Sequence, residues 1–226
     1  YPPERSPAPP TPSGALRFAA ELVTVYVALT AVLTGLGLLL TSVVLSRGRS
    51  DWDEGINRWL AAHRTPAVND ITGLFSWLLD GPRAVILTIT ITGVALVLHR
   101  RWFACMIAVA MVLELLVFLT CASLVGRPRP DVAHFSGVPS TSSFPSGHVS
   151  AVVVLFGLLA LAARNGPRWW RTVSITLMAV MVPMVAFARV YRGLHHVTDV
   201  AAGGLLGALV VLCVPTVIER ARLSAI

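Results

Sequence analysis

The sequence predicts an all-α membrane protein with six transmembrane helices and an interfacial amphipathic helix in the first extracytoplasmic loop. Three observations predict it. Of the 226 residues, 55% are hydrophobic and only 13% charged, about half the charge of an ordinary soluble domain. Mean hydropathy is +0.75. The apolar residues also gather into six runs near the ~20 residues that cross a bilayer, with polar, charged loops between them.

The first residues, "YPPERSPAPPTPSG", are rich in Pro and Ser and poor in apolar side chains. Residues 1–16 therefore read as a disordered tail, and residues 17–226 as one six-helix domain. The first span is Leu22 to Val44. The second lies within Arg83 to Arg100 and is short; Pro82 suits its first turn, and Arg100 and Arg101 can snorkel at its end. Trp102 to Val125 is the third, His148 to Ala163 the fourth, Trp169 to Ala188 the fifth and His195 to Ile218 the sixth. Between the first two spans, Trp52, Ile56, Trp59 and Leu60 recur at helical spacing, the pattern of a helix lying on the membrane. In the sixth span, "AAGGLLGA" (Ala201 to Ala208) reads as small-residue helix packing.

Arginine clusters set the orientation. With both termini cytoplasmic, "HRR" after the second span, the Arg164/Arg168/Arg171 loop and the Arg220/Arg222 tail all lie inside. The loop Gly126 to Pro145 and the turn Arg189 to Leu194 then share the outer face. The formal charge is +7, and all 18 basic residues are arginine. In so apolar a chain this excess points to anionic lipid or anionic substrate. No clustering of basic and aromatic residues suggests nucleic acid. The three cysteines lie in apolar runs without metal-ligand spacing, so neither a disulfide framework nor a metal site is expected. Oligomeric state is not legible.

Three short segments carry chemistry. "GRPRPD", Gly126 to Asp131, displays Arg127 and Arg129 on a proline-stiffened extended segment; alone, such arginines can simply anchor headgroups. "FPSGHVSA", Phe144 to Ala151, opens a helix whose free amides and dipole form an anion site. His148 stands in its first turn, as a proton donor or as a plain interfacial histidine. In "ARVYRGLHHVTD", His195 and Asp199 are four apart and share a helical face. An aspartate accepting the Nδ1 proton would leave Nε2 free as a nucleophile; the plainer reading is a structural pair. His196 points elsewhere on the helix and reads as a bystander. Together the segments hold arginine forks for phosphate, a carboxylate-oriented histidine and a second histidine for the leaving group. No carboxylate cluster for a metal accompanies them. The expected reaction is metal-free phosphoryl transfer to water through a phosphohistidine.

These residues resemble the type 2 phosphatidic acid phosphatase superfamily, membrane relatives of vanadium haloperoxidases, with its signature Lys-x6-Arg-Pro, Pro-Ser-Gly-His and Ser-Arg-x5-His-x3-Asp. Pro145, Ser146, Gly147 and His148 match the second part, Arg189, His195 and Asp199 the third, and Arg129 and Pro130 the first. The resemblance implies His195 as nucleophile, oriented by Asp199, and His148 as general acid. It implies Arg129, Arg189, Ser146 and the Gly147 amide as phosphate ligands, and no cofactor. Two positions depart: Ala122 fills the lysine slot and Ala188 the serine slot. Arg127 and Arg192 are the candidates to replace the missing cation.

The expected activity is hydrolysis of a lipid phosphomonoester or pyrophosphate at the extracytoplasmic face. Polyprenyl pyrophosphate, phosphatidic acid or phosphatidylglycerol phosphate, and glycolipid phosphate are all open as substrates. Ala122 motivates the alternative, a catalytically weakened relative that binds or transports lipid. Glu114, mid-span and several turns from the motif loop, reads as a structural carboxyl, hydrogen-bonded or protonated.

Overall fold

A computed structural model describes residues 12–45, 51–78, 80–135 and 141–223. The described residues are helical, with irregular loops between. The helices are α1 Pro12–Leu39, α2 Asp51–Ala62, α3 Pro66–Leu78, α4 Gly81–Val97, α5 Arg101–Val125, α6 Gly147–Ala163, α7 Arg168–Tyr191 and α8 Val197–Leu223. A π-helical turn, Leu40–Leu45, continues α1. There the Thr41 and Ser42 hydroxyls bond the carbonyls of Gly37 and Leu38, in competition with the regular ladder. Most of the expected tail lies outside the described residues, but Pro12 to Leu16 already belong to α1.

Four helical stretches are long and apolar enough to cross a membrane: Gly14–Ser42, Arg101–Val125, Arg168–Tyr191 and Val197–Arg222. The pair α3–α4, bent by 53°, makes a fifth if counted as one span. The protein is an integral membrane protein. The expected second and fourth spans are the short ones, since α4 and α6 have 17 residues each. At 1.5 Å per residue that is about 25 Å, against a hydrocarbon core of ~30 Å.

The short α6 is held by protein rather than by length. It packs against α5, α7 and α8 and buries Val149, Val152, Val154, Leu155 and Leu158. The main core joins α1, α5, α6 and α8 through residues such as Leu33, Ile107, Val117, Val154, Leu206 and Val210. The small-residue run in α8 lets α6 approach closely. A Cβ on Gly207 would stand 2.6 Å from Val153 Cβ and 2.7 Å from the Ser150 carbonyl oxygen. One on Gly203 would collide with the Ser146 carbonyl. These two glycines seat the first turn of α6 on α8, which carries the other half of the site.

The helix expected to float on the membrane is anchored by its polar face. In α2, Asp53 and Asn57 are each only 1% exposed, while Trp52 and Trp59 face outward. Asn57 Nδ2 donates to the carbonyls of Val190 and His195, both at 3.1 Å. Asp53 Oδ1 accepts the amides of Val197, at 2.9 Å, and Thr198, at 3.4 Å. It thereby caps α8 from a distant part of the chain.

Candidate active site

α5 ends at Gly126, which takes the left-handed conformation (φ 62°) and bonds back to the Ala122 carbonyl. Only a residue without Cβ adopts this turn at no cost, and it releases the chain into the arginine segment. That segment is stitched to the loop before α6. The Arg127 amide donates to Ser142 Oγ (2.9 Å), the Ser143 amide to the Arg127 carbonyl (2.9 Å), and Ser143 Oγ to the Pro128 carbonyl (2.8 Å). The Ser146 amide then donates to the Asp199 carbonyl at 2.9 Å. All three sequence segments are thus tied into one surface.

Beneath them lies a cavity of about 700 Å³. One end is polar, lined by Arg129, His148, Arg189, His195 and the backbone of Gly147; the rest is a mainly apolar groove between α4 and α5, interrupted by Thr88, Thr92 and Glu114. Arg129 Nη1 donates to the Leu194 carbonyl at 2.6 Å. Arg189, 5% exposed, donates to Ser76 Oγ at 2.9 Å. Among the described residues neither guanidinium has a carboxylate partner. Two cations held close together, one of them fully enclosed, are poised to take a doubly charged anion. Ser146 Oγ, also buried, has no partner among the described residues.

His195 is 3% exposed, and its Nδ1 lies 2.7 Å from the Ser143 carbonyl oxygen. A carbonyl only accepts, so Nδ1 carries the hydrogen and Nε2 keeps a lone pair. Burial, then the charges of Arg189 and Arg129, holds its pKa well below the ordinary histidine value. The ring is therefore neutral, with a free lone pair at Nε2: the form a nucleophile requires.

Three expectations need correction. Asp199 does not bond His195; its Oδ2 stands 4.0 Å from Nδ1. The loop carbonyl of Ser143 is nearer and takes that hydrogen. Asp199 instead accepts from Arg127 Nη1 (2.5 Å) and from the His196 amide (2.8 Å), with His196 Nδ1 at 3.1 Å. Arg127 does not face the cavity. It is 3% exposed and clamped between Asp199 and Asp53, with Nη2 to Asp53 Oδ2 at 3.0 Å. Two carboxylates outcompete any phosphate for it. Arg192 also lies off the cavity, stacked 4.7 Å over Phe135 and directed toward the Asn69 carbonyl. Neither Arg127 nor Arg192 therefore joins Arg129 and Arg189 in lining the cavity. Ala122 itself is buried at the end of α5.

His196, expected to be a bystander, joins the network behind the site, with Nε2 3.0 Å from Glu54 Oε2. Asp53, Glu54, Asn57, Ser76 and Ser143 were not singled out from the sequence. The one available signal was on α2: Asp53 and Asn57, four apart, lie off the tryptophan stripe and form a second face with a job of its own.

The PAP2 superfamily matches residues 101–223, as the three motifs led us to expect. Phosphatidylglycerophosphatase B of Bacillus subtilis is 25% identical over 190 residues, 82% of this chain and 92% of that protein. Decaprenylphosphoryl-5-phosphoribose phosphatase of Mycobacterium tuberculosis is 36% identical over 90 residues, but this covers only 38% of this chain and 45% of that protein. The crystal structure of a transmembrane PAP2 type phosphatidylglycerolphosphate phosphatase from Bacillus subtilis superimposes with a TM-score of 0.72. It is 23% identical and covers 84% of this chain and 96% of that one.

Proposed function

The chain belongs to the PAP2 superfamily, and from that premise we propose that it removes phosphate from a membrane lipid through a phosphohistidine on His195. It is a hydrolase of phosphoric monoesters or diphosphates acting on lipids, the activity class of its named relatives. One observation carries the detailed reading. Two arginines without carboxylate partners among the described residues and two histidines crown a cavity whose remainder is mainly apolar and runs between helices. A phosphate fits the crown and a lipid chain fits the groove.

In the proposed mechanism Arg129 and Arg189 bind the phosphate oxygens in their forks, with the Gly147 amide and Ser146 hydroxyl as further donors. Nε2 of His195 attacks phosphorus, forming the N–P bond as the P–O bond to the lipid breaks. His148 gives its proton to the departing oxygen. Water then attacks the phosphohistidine, its proton passes to His148, the N–P bond breaks, and inorganic phosphate leaves. The charge that builds on the phosphoryl oxygens is stabilised by the two fixed guanidinium groups. Asp199 acts at one remove: with Arg127 and Asp53 it fixes the start of α8 and so the place of His195.

Six membrane passes with both termini cytoplasmic would place this crown at the extracytoplasmic face. α2 would then cover it at the interface, with Trp52 and Trp59 turned to the headgroups. Purified protein in detergent, with chelator present, is expected to release phosphate from at least one lipid phosphate. Equal rates for wild type and His195→Ala would overturn the mechanism. They would favour the second reading, a lipid-binding or transport relative, for which the uncharged Ala122 is the supporting observation.

A further inference from the structure

Glu114 is placed very differently from what its position in α5 suggests. The first turn of α6 is sunk beside the middle of α5, so that Ser150 Oγ bonds Glu114 Oε1. Glu114 is 3% exposed and lines the same cavity as His148 and His195. Among the described residues that line this cavity it is the one carboxyl. Its partner is over-committed: Ser150 Oγ also lies 3.0 Å from the Gly147 carbonyl, and a hydroxyl has one proton to give. Ser150 is the one partner of Glu114 among the described residues. Across the groove, Thr92 of α4 has a buried hydroxyl oxygen without a partner. A purely apolar chain in this stretch would leave the Thr92 hydroxyl unsatisfied and the Glu114 carboxyl with Ser150 as its one partner among the described residues, which a buried site does not tolerate cheaply.

We propose that Glu114 and Thr92 form a hydrogen-bonding subsite directly beneath the phosphate crown. It takes lipids whose phosphate is carried on an oxygen-bearing unit, a glycerol ester or a sugar, rather than directly on a hydrocarbon chain. Ser150, which bonds the carboxyl, follows His148 by two residues, about 3 Å along α6, near where the first atoms beyond a bound phosphate ester would lie. Glycerol ester and sugar oxygens both reach that level, and the first isoprene unit of a polyprenyl phosphate offers nothing but carbon there. The inference rests on the phosphatase reading above and narrows it to a substrate class.

The test measures kcat/KM for phosphate release from diacylglycerol phosphate, a polyprenylphosphoryl sugar phosphate and polyprenyl phosphate. Wild type, Glu114→Leu, Glu114→Gln and Thr92→Val are compared, each shown to elute as a single folded species. Wild type is expected to favour at least one oxygen-bearing substrate over polyprenyl phosphate by about ten-fold or more. Whichever of the two is faster identifies glycerol or sugar. Glu114→Leu should bring that ratio to within about two-fold, while Glu114→Gln, which keeps donor and acceptor, should preserve most of it. A wild-type preference for polyprenyl phosphate, or an equal loss on all three substrates in Glu114→Leu, would overturn the subsite. If Glu114→Leu does not fold, Thr92→Val decides, with a drop in the ratio of about three-fold expected and an unchanged ratio contradicting it. If wild type hydrolyses none of the three, the phosphatase reading fails by itself. Thermal stabilisation by the same lipids must then still rank oxygen-bearing above hydrocarbon, and equal stabilisation rejects the subsite.

Discussion

Arg129 and Arg127 are two residues apart, on one stiff loop, and the structure uses them in opposite ways. Among the described residues, Arg129 opens on the cavity with only carbonyl and hydroxyl oxygens as partners. Arg127 is turned behind the site and clamped between two carboxylates. The crown, made of Arg129, Arg189, His148 and His195, keeps its charges without carboxylate partners. The clamp, made of Asp53, Arg127, Asp199, His196 and Glu54, matches charge with charge. Among the described residues, Arg127 has carboxylate partners and braces the scaffold, whereas Arg129 and Arg189 lack them and are the ones proposed to bind substrate. Activity and stability should therefore separate between the two regions.

The strongest way to break this comparison is His195→Ala. Removal of the nucleophile should cost at least about 10⁴-fold in kcat, while the melting temperature stays close to wild type. A large fall in stability would show that the crown is also scaffold. Arg127→Ala should do the reverse. Losing one partner of a buried ion pair leaves two carboxylates exposed to each other and costs about 3–5 kcal/mol, read as a lower denaturation midpoint in mixed micelles. Arg129→Gln should lower kcat/KM by about 10²-fold, as removal of one fixed transition-state donor does, with a midpoint near wild type. If Arg127→Ala and Arg129→Gln shift both properties alike, the division of labour is wrong.

The smallest effect is on pH. The folded-state pKa of His195 lies well below its unfolded value, so its neutral form is the native one. Above the ordinary histidine pKa of ~6.5 this group leaves stability unchanged with pH. As pH falls below that value, the unfolded chain takes up a proton that the folded chain refuses, and stability drops. His195→Gln should flatten that acid slope in a pH series of unfolding midpoints. For the same reason the acid limb of kcat/KM due to His195 should fall below pH 6.5 in the free enzyme.

The three motifs were legible because the residue types that phosphoryl transfer calls for are fixed in kind by chemistry. A nucleophilic nitrogen, a proton donor and guanidinium forks admit few substitutes, and they stand at the starts of apolar runs that are themselves easy to see. Arg129, Gly147, His148, Arg189 and His195 do meet at one cavity. The membrane character and the helical class were equally plain from hydropathy. The small-residue run of α8 was read as packing, and Gly203 and Gly207 do carry α6.

The supporting shell was not legible, because its partners are set by how helices slide and turn against one another. His195 and Asp199 share a helical face by spacing, yet a carbonyl 52 residues away in the chain takes the proton. Asp53 lies 145 residues before the Thr198 amide it caps, and no local pattern announces such a bond. Glu114 looked remote from the site because distance along α5 says nothing about how deep α6 begins. Composition and motif alone determined that this chain is a helical membrane protein with phosphate chemistry at one mouth, since those depend on residue type and local period. Tertiary structure decided which arginine lines the cavity and which braces the scaffold, which carbonyl takes the His195 hydrogen, and that a carboxyl lines the same cavity. Those outcomes depend on the axial offset and rotation of packed helices, which are set by close contacts such as α6 on Gly203 and Gly207 and not by any single segment.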